Sequence, residues 1–155
     1  MSPDLPLWLL ALLNTLGIPA THLAIAWLFT RLPARWFTPG RGIFRTFPWE
    51  SPAFYDRFFR VRKWKHLLPD AAPWFGGFAK KSLRRRERAF YERFRHETCR
   101  GEAAHHAQIL AIALIFTPLN PIPWAFLMPL YAILSNLPCI LLQRQNRLRL
   151  NAVLA

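Results

Sequence analysis

The sequence predicts an all-α integral membrane protein, with about three transmembrane helices and an interfacial helical region rich in basic and aromatic residues. Three observations carry this. Residues 5–30 and 107–143 hold no charged side chain. Lys and Arg number 21 against 8 Asp and Glu, for a net charge of +13, and all but Arg144, Arg147 and Arg149 lie between 31 and 100. Hydrophobic residues make up 53% of the chain, a fraction out of keeping with so basic a soluble domain. The 155 residues suit one membrane-embedded domain, 1–155, rather than two.

The first span is residues 5–30. At about 1.5 Å per residue it is long enough for a hydrocarbon core of about 30 Å. Pro19 predicts a kink, which membrane helices tolerate. A cleaved signal peptide fits poorly, because the leading residues offer Asp4 and no cation and the apolar run is too long. His22 reads as a lone polar helix residue.

The uncharged run 107–143 is interrupted by TPLNPIP, residues 117–123, whose prolines and Asn signal a turn. This predicts a helical hairpin. Its second arm covers 124–143, bent or broken at Pro129 and Pro138. Its first arm ends near Phe116 and is too short if it begins at Ala107. It therefore takes in the polar stretch before it, giving spans at about 5–30, 98–116 and 124–143. The cytoplasmic segment is then about 31–97. Basic loops face the cytoplasm. The N-terminus is thus expected outside a bacterial cytoplasmic membrane, with the basic segment and C-terminus inside.

Within the basic segment, 31–53 is rich in Pro and Gly and reads as irregular. FYDRFFRVRKWKH, 54–66, predicts a helix in the headgroup layer, with Phe54, Phe58 and Val61 on one face. Residues 68–77 form a loop, and 80–101 a charged helix with Leu83, Phe90 and Phe94 on its apolar side. Most of these cations serve orientation and attraction to anionic lipid. Basic residues among aromatics also suit nucleic acid, but no nucleic-acid motif is present and none is expected as a partner. VRKWKH asks for more: Arg62, Lys63, Trp64, Lys65 and His66 together suit a phosphorylated or carboxylated group.

The chemistry concentrates in HETCRGEAAHH, residues 96–106. A metal site, an acid–base site and a solvated helix end are the competing readings. Span length puts the stretch at the membrane boundary, where ionisable groups point to function. His105 follows Glu102 at i, i+3, within side-chain reach. A carboxylate on one imidazole nitrogen leaves the other to take a proton. Glu97 and Arg100 flank the pair, and Gly101 opens a gap beside it. A Glu-x-x-His pair also ligates metals in helical bundles, but such sites need a second pair from other helices. Cys99 and Cys139 read as ordinary thiols, with an acyl-carrying role for Cys99 as the alternative. A last polar cluster, Asn136, Gln143, Arg144, Asn146, Arg147 and Arg149, ends the third span, and of these Asn136, Gln143, Arg144, Asn146 and Arg149 are expected to bind substrate. The topology brings it to one interface with VRKWKH and the Glu97–His105 stretch.

Taken in order, these clusters resemble the glycosyl-4,4'-diaponeurosporenoate acyltransferase family. The matching residues are Arg31 and Pro33, then Val61 to His66 with Asp70, then Glu97, Thr98, Arg100, Glu102 and His105. Asn136, Pro138, Gln143, Arg144, Asn146, Arg147, Arg149 and Leu150 complete the set. The likeness covers about residues 29–154. It departs at His106, Gln145 and Leu148, where the family pattern carries a tryptophan, an aromatic and a proline. The resemblance implies transfer of a fatty acyl group to a sugar hydroxyl of a glycosylated carotenoid or related glycolipid. On it we expect His105 as general base, Glu102 as its orienting group, and Arg100 or Arg144 at the oxyanion. Arg62, Lys63, Lys65 and His66 would hold an acyl donor such as acyl-CoA or acyl carrier protein, with no bound cofactor and no metal. A metal-dependent membrane enzyme and a non-catalytic membrane scaffold are the alternatives.

Overall fold

The computed structural model describes residues 5–68, 72–78 and 87–155. All regular structure among them is helical. Helix α1 runs Leu7–Arg31. Short 3-10 turns at Ala34–Trp36 and Gly42–Phe44 lead to α2, Pro52–Phe59, and α3, Val61–Trp64. Helix α4 is Arg88–Phe116 and α5 is Trp124–Leu154. Helix α4 packs along α5 and against α1.

Helices α1 and α5 are long and apolar enough to cross a membrane; α4 is not. This corrects the expectation of three spans. The expected span 98–116 and the charged helix before it are one continuous helix from Arg88. Only its last third is apolar, so it carries charge well into its length. That is tolerable because its polar positions face other helices: Glu97, Thr98, Glu102 and Gln108 are all buried. Lipid-like surface appears on the apolar last third of α4, where Leu110 and Leu114 are exposed, and on the other two long helices. Leu16 and Leu28 on α1 and Phe126, Leu130 and Leu134 on α5 are exposed.

Pro19 needs no acceptor at the carbonyl four residues back. The backbone accommodates this with a π-helical turn, Leu13–Gly17, just before it. Gly17 lies against α4, where a Cβ would stand 3.1 Å from the Phe116 ring. Ile18, Ile112, Phe116 and Ala132 close the core there. At the same end Asn14 and Asn120 exchange amide hydrogen bonds of 2.7 and 3.1 Å, tying α1 to the predicted turn at 117–123. The second hairpin arm is neither broken nor ended by proline, since α5 continues through Pro129 and Pro138.

The segment 54–66 is not one helix. Arg60 adopts left-handed backbone, φ 50°, between α2 and α3. The break rotates Val61 into the core, fully buried, and lets the Asp56 carboxylate accept from the Arg62 backbone at 3.3 Å. The buried residues are Tyr55 and Val61, while Phe58 stays exposed. Residues 31–53 are irregular as expected, with Phe37 and Phe44 packed on Cys99. Phe90 and Phe94 do share an apolar side, packed on Phe78. Asp4, Asp70, Leu83 and the KKSLRRR cations lie outside the described residues.

Candidate active site

The structure sorts the polar clusters into two buried systems. The first is a cavity of about 340 Å³ between α1, α4 and α5, roofed by the chain at Leu68, Ala72 and Trp74. Its polar wall includes Glu97, Arg100, His105 and Gln108 of α4, Ser135, Asn136 and Gln143 of α5, and His22 of α1. Leu23, Ala26, Ala104, Cys139 and Leu142 make much of the rest apolar. Gly101 also lines it, on the surface the sequence marked as a gap.

His105 does not take its orientation from Glu102. Its Nδ1 lies 2.9 Å from Asn136 Oδ1 and 2.9 Å from Gln108 Oε1. Asn136 is 1% exposed, and its amide nitrogen donates to the Ala132 carbonyl at 2.9 Å. Two oxygen acceptors at one ring nitrogen require that nitrogen to carry the proton. The lone pair of the neutral ring is then on Nε2.

Arg100 reaches Glu97 at 2.8 Å and the Leu32 carbonyl, just past the end of α1, at 3.3 Å. Its Nε is buried without a partner, and so is Gln143 Oε1. Both residues line the cavity, while these two atoms are themselves sealed from it.

The second system is structural. Glu102, 1% exposed, gives one carboxylate oxygen to Arg144 at 2.7 Å and the other to Arg147, which is fully buried. The nearby imidazole is that of His106, at 3.8 Å. Sequence spacing could not foresee this, because both guanidiniums come from α5. Arg144 also binds both oxygens of Glu50, the Tyr55 hydroxyl and the carbonyls of Ile43 and Arg45. It is therefore spent on holding 43–55 against the bundle, and the expected oxyanion or substrate role does not suit it. Tyr55 donates to Glu50 at 2.8 Å. Burial, then that hydrogen bond, pushes its phenol up to about 12.

Arg149 is likewise occupied, 3.1 Å from Asp56, which also takes Arg62 at 2.7 Å and Gln145 at 2.8 Å. Desolvation works against the Asp56 charge. The Gln145 hydrogen bond and the two arginines outweigh it and hold the carboxyl below its ordinary range. Asn146 is half-buried on α5, away from the cavity lining. In VRKWKH, Lys63, Lys65 and His66 are exposed, and Trp64 donates to the Phe59 carbonyl at 2.7 Å. None of them lines the cavity, but the chain reaches its wall at Leu68.

The three clusters are therefore linked: Glu102 joins the second to the third, and Asp56 joins the first to the third through Arg62 and Arg149. Cys99 is fully buried beside Arg147, away from the cavity, which leaves an acyl-carrying thiol no access. Among the described residues no three His, Cys, Asp or Glu side chains gather as a metal site. Glu102 is held by two cations, which disfavours it as a ligand. The sequence marks His22 only as a lone polar helix residue and does not single out Gln108. Their signal was an uncharged polar residue inside an apolar run, which usually finds a partner on another helix.

Comparison with known proteins adds three findings. A family model described as glycosyl-4,4'-diaponeurosporenoate acyltransferase matches residues 33–155. Proteins of that name from Staphylococcus aureus strains bovine RF122 / ET3-1, MRSA252 and USA300 are each 33% identical over 135 residues. The match takes in 86% of this chain and 81% of each relative. No solved structure matches the chain.

Proposed function

Because the chain belongs to the glycosyl-4,4'-diaponeurosporenoate acyltransferase family, we propose that it esterifies a sugar hydroxyl of a glycosylated carotenoid or related glycolipid in the cavity between α1, α4 and α5. The observation that carries this reading is His105. It stands on the cavity wall with Nδ1 committed to Asn136 and Gln108. Its Nε2 then takes the proton of the sugar hydroxyl. The oxygen attacks the carbonyl carbon of an acyl thioester, the carbon–sulfur bond breaks, and the sulfur leaves with the proton returned from His105. The arrangement supports Arg100 at the oxyanion, since it is a fixed guanidinium of the cavity wall, held by Glu97. Gln143, on the same wall, hydrogen-bonds another sugar hydroxyl.

The cavity lies at the small end of the 300–1,000 Å³ or so that holds a drug-sized ligand. It has room for the reacting sugar and acyl ends, and the long aglycone runs along the exposed apolar faces of α1 and α5. The acyl donor is a coenzyme A or acyl-carrier-protein thioester. Its phosphates meet Lys63, Lys65 and His66, which precede the cavity wall at Leu68 by five, three and two residues. The protein sits in a bacterial cytoplasmic membrane. The charge distribution supports an outer N-terminus, with the basic segment and the Arg-rich end of α5 inside. The rings of Phe47, Trp49 and Phe58, all exposed, meet the headgroup layer.

The test is acyl transfer from acyl-CoA or acyl carrier protein to a glucosylated carotenoid in proteoliposomes. His105→Ala is expected to lose about 100-fold or more of the rate while keeping the wild-type unfolding temperature in detergent. If it remains fully active, His105 is not the base.

A further inference from the structure

We propose that Gln108 is a positioning residue of the acyl-transfer site, locking the reactive tautomer of His105 to the backbone of the first helix. The inference rests on the reading of His105 as general base. Gln108 is 4% exposed, one turn beyond His105 on α4, and lines the same cavity. Its amide nitrogen donates to the His22 carbonyl of α1 at 3.0 Å, while its oxygen lies 2.9 Å from His105 Nδ1. Only the NH2 end can satisfy a carbonyl, so the contact with α1 decides which end of the amide meets the ring. Flipping it would set oxygen against oxygen at His22. Asn136 is fixed in the same way by the Ala132 carbonyl. The imidazole is thus held from α4 and α5 directly, and from α1 through Gln108.

Two consequences follow. The first helix enters the catalytic centre through a main-chain carbonyl. It lies before residue 33, where the family match begins, and yet it sets the geometry of a residue inside that match. The tautomer is also fixed by neutral amides. A carboxylate in the same place would add a negative charge and favour the imidazolium, which is no base. Besides His105, the charged or titratable groups lining this cavity among the described residues are His22 of α1, the Glu97–Arg100 pair of α4 and Cys139 of α5, and the other polar residues of α5 there are the neutral Ser135, Asn136 and Gln143.

The experiment measures kcat, KM and the pH profile in proteoliposomes for wild type, Gln108→Leu, Gln108→Glu and His105→Ala. Gln108→Leu is expected to lower kcat about 10- to 100-fold, the usual cost of losing an orienting partner, with KM within about twofold. Gln108→Glu keeps an acceptor on the ring, gives up the donor to the His22 carbonyl and adds a charge. It is expected to move the acid limb of the kcat profile to higher pH, a shift that a merely structural role would not produce. Should Gln108→Leu fail to fold, Gln108→Glu carries the test. Wild-type kcat in Gln108→Leu, or an unmoved acid limb in Gln108→Glu, overturns the proposal. Either result with an inactive His105→Ala leaves the base assignment standing, whereas an active His105→Ala removes both.

Discussion

Arg100 and Arg144 are alike in the sequence, each an arginine in a polar cluster beside an apolar run, and only their partners separate them. Arg144 neutralises Glu50 and Glu102, both buried. Arg144→Ala leaves buried Glu50 uncompensated and Glu102 with Arg147 as its remaining arginine, and is expected to cost about 3–5 kcal/mol, read as a large drop in unfolding temperature in detergent. Arg100→Lys keeps a cation beside buried Glu97 and is therefore expected to keep most of the stability while losing about 100-fold or more in kcat. Equal losses of stability in the two variants would refute the division. Glu102 belongs with Arg144. Its i, i+3 spacing from His105 was legible, but two α5 guanidiniums outcompete a neutral imidazole for a buried carboxylate.

Among the elements, the break between α2 and α3 shows its purpose in Asp56. One carboxylate holds the Arg62 backbone and side chain, Gln145 and Arg149, and so fastens the basic turn to α5. Its native carboxyl titrates below its unfolded value. The stability it contributes is therefore complete above the ordinary aspartate value of about 3.9 and is lost as pH falls through the lowered native one. Asp56→Asn is expected to unfold earlier at neutral pH, and its deficit relative to wild type should shrink on acidification below about pH 4. A deficit independent of pH would count against the carboxylate. The α1–α4 contact makes a separate demand. Gly17→Leu must displace the Phe116 ring, which a Cβ alone would approach to 3.1 Å. About 1–3 kcal/mol of overpacking is expected, measurable as a lower unfolding temperature.

Across the whole molecule, exposed apolar residues on α1 and α5 leave a surface far greasier than a soluble monomer keeps. The protein is expected to stay with membranes through alkaline carbonate extraction, and its release into the supernatant would refute the spanning reading. The same architecture explains why two helices, and not three, are apolar enough for lipid. The middle of α4 is covered by its neighbours, so it can bury Glu97 and Glu102 where a lipid-facing stretch could not, while its apolar end exposes Leu110 and Leu114.

The sequence by itself determined the helical class, the turn at 117–123, the irregular 31–53 segment, and the family through its three clusters. Those properties are local or compositional: charge-free runs, prolines and short motifs. Tertiary structure alone decided which ionisable groups face a cavity and which are consumed in the core. It moved Glu102, Arg144 and Arg149 into the scaffold and brought His22, Gln108 and Asn136 to His105. The physical reason is that a buried polar atom must find a partner. With helices packed side by side, that partner stands across an interface, at a separation of 31 residues for Asn136 and His105, which no helical periodicity can report.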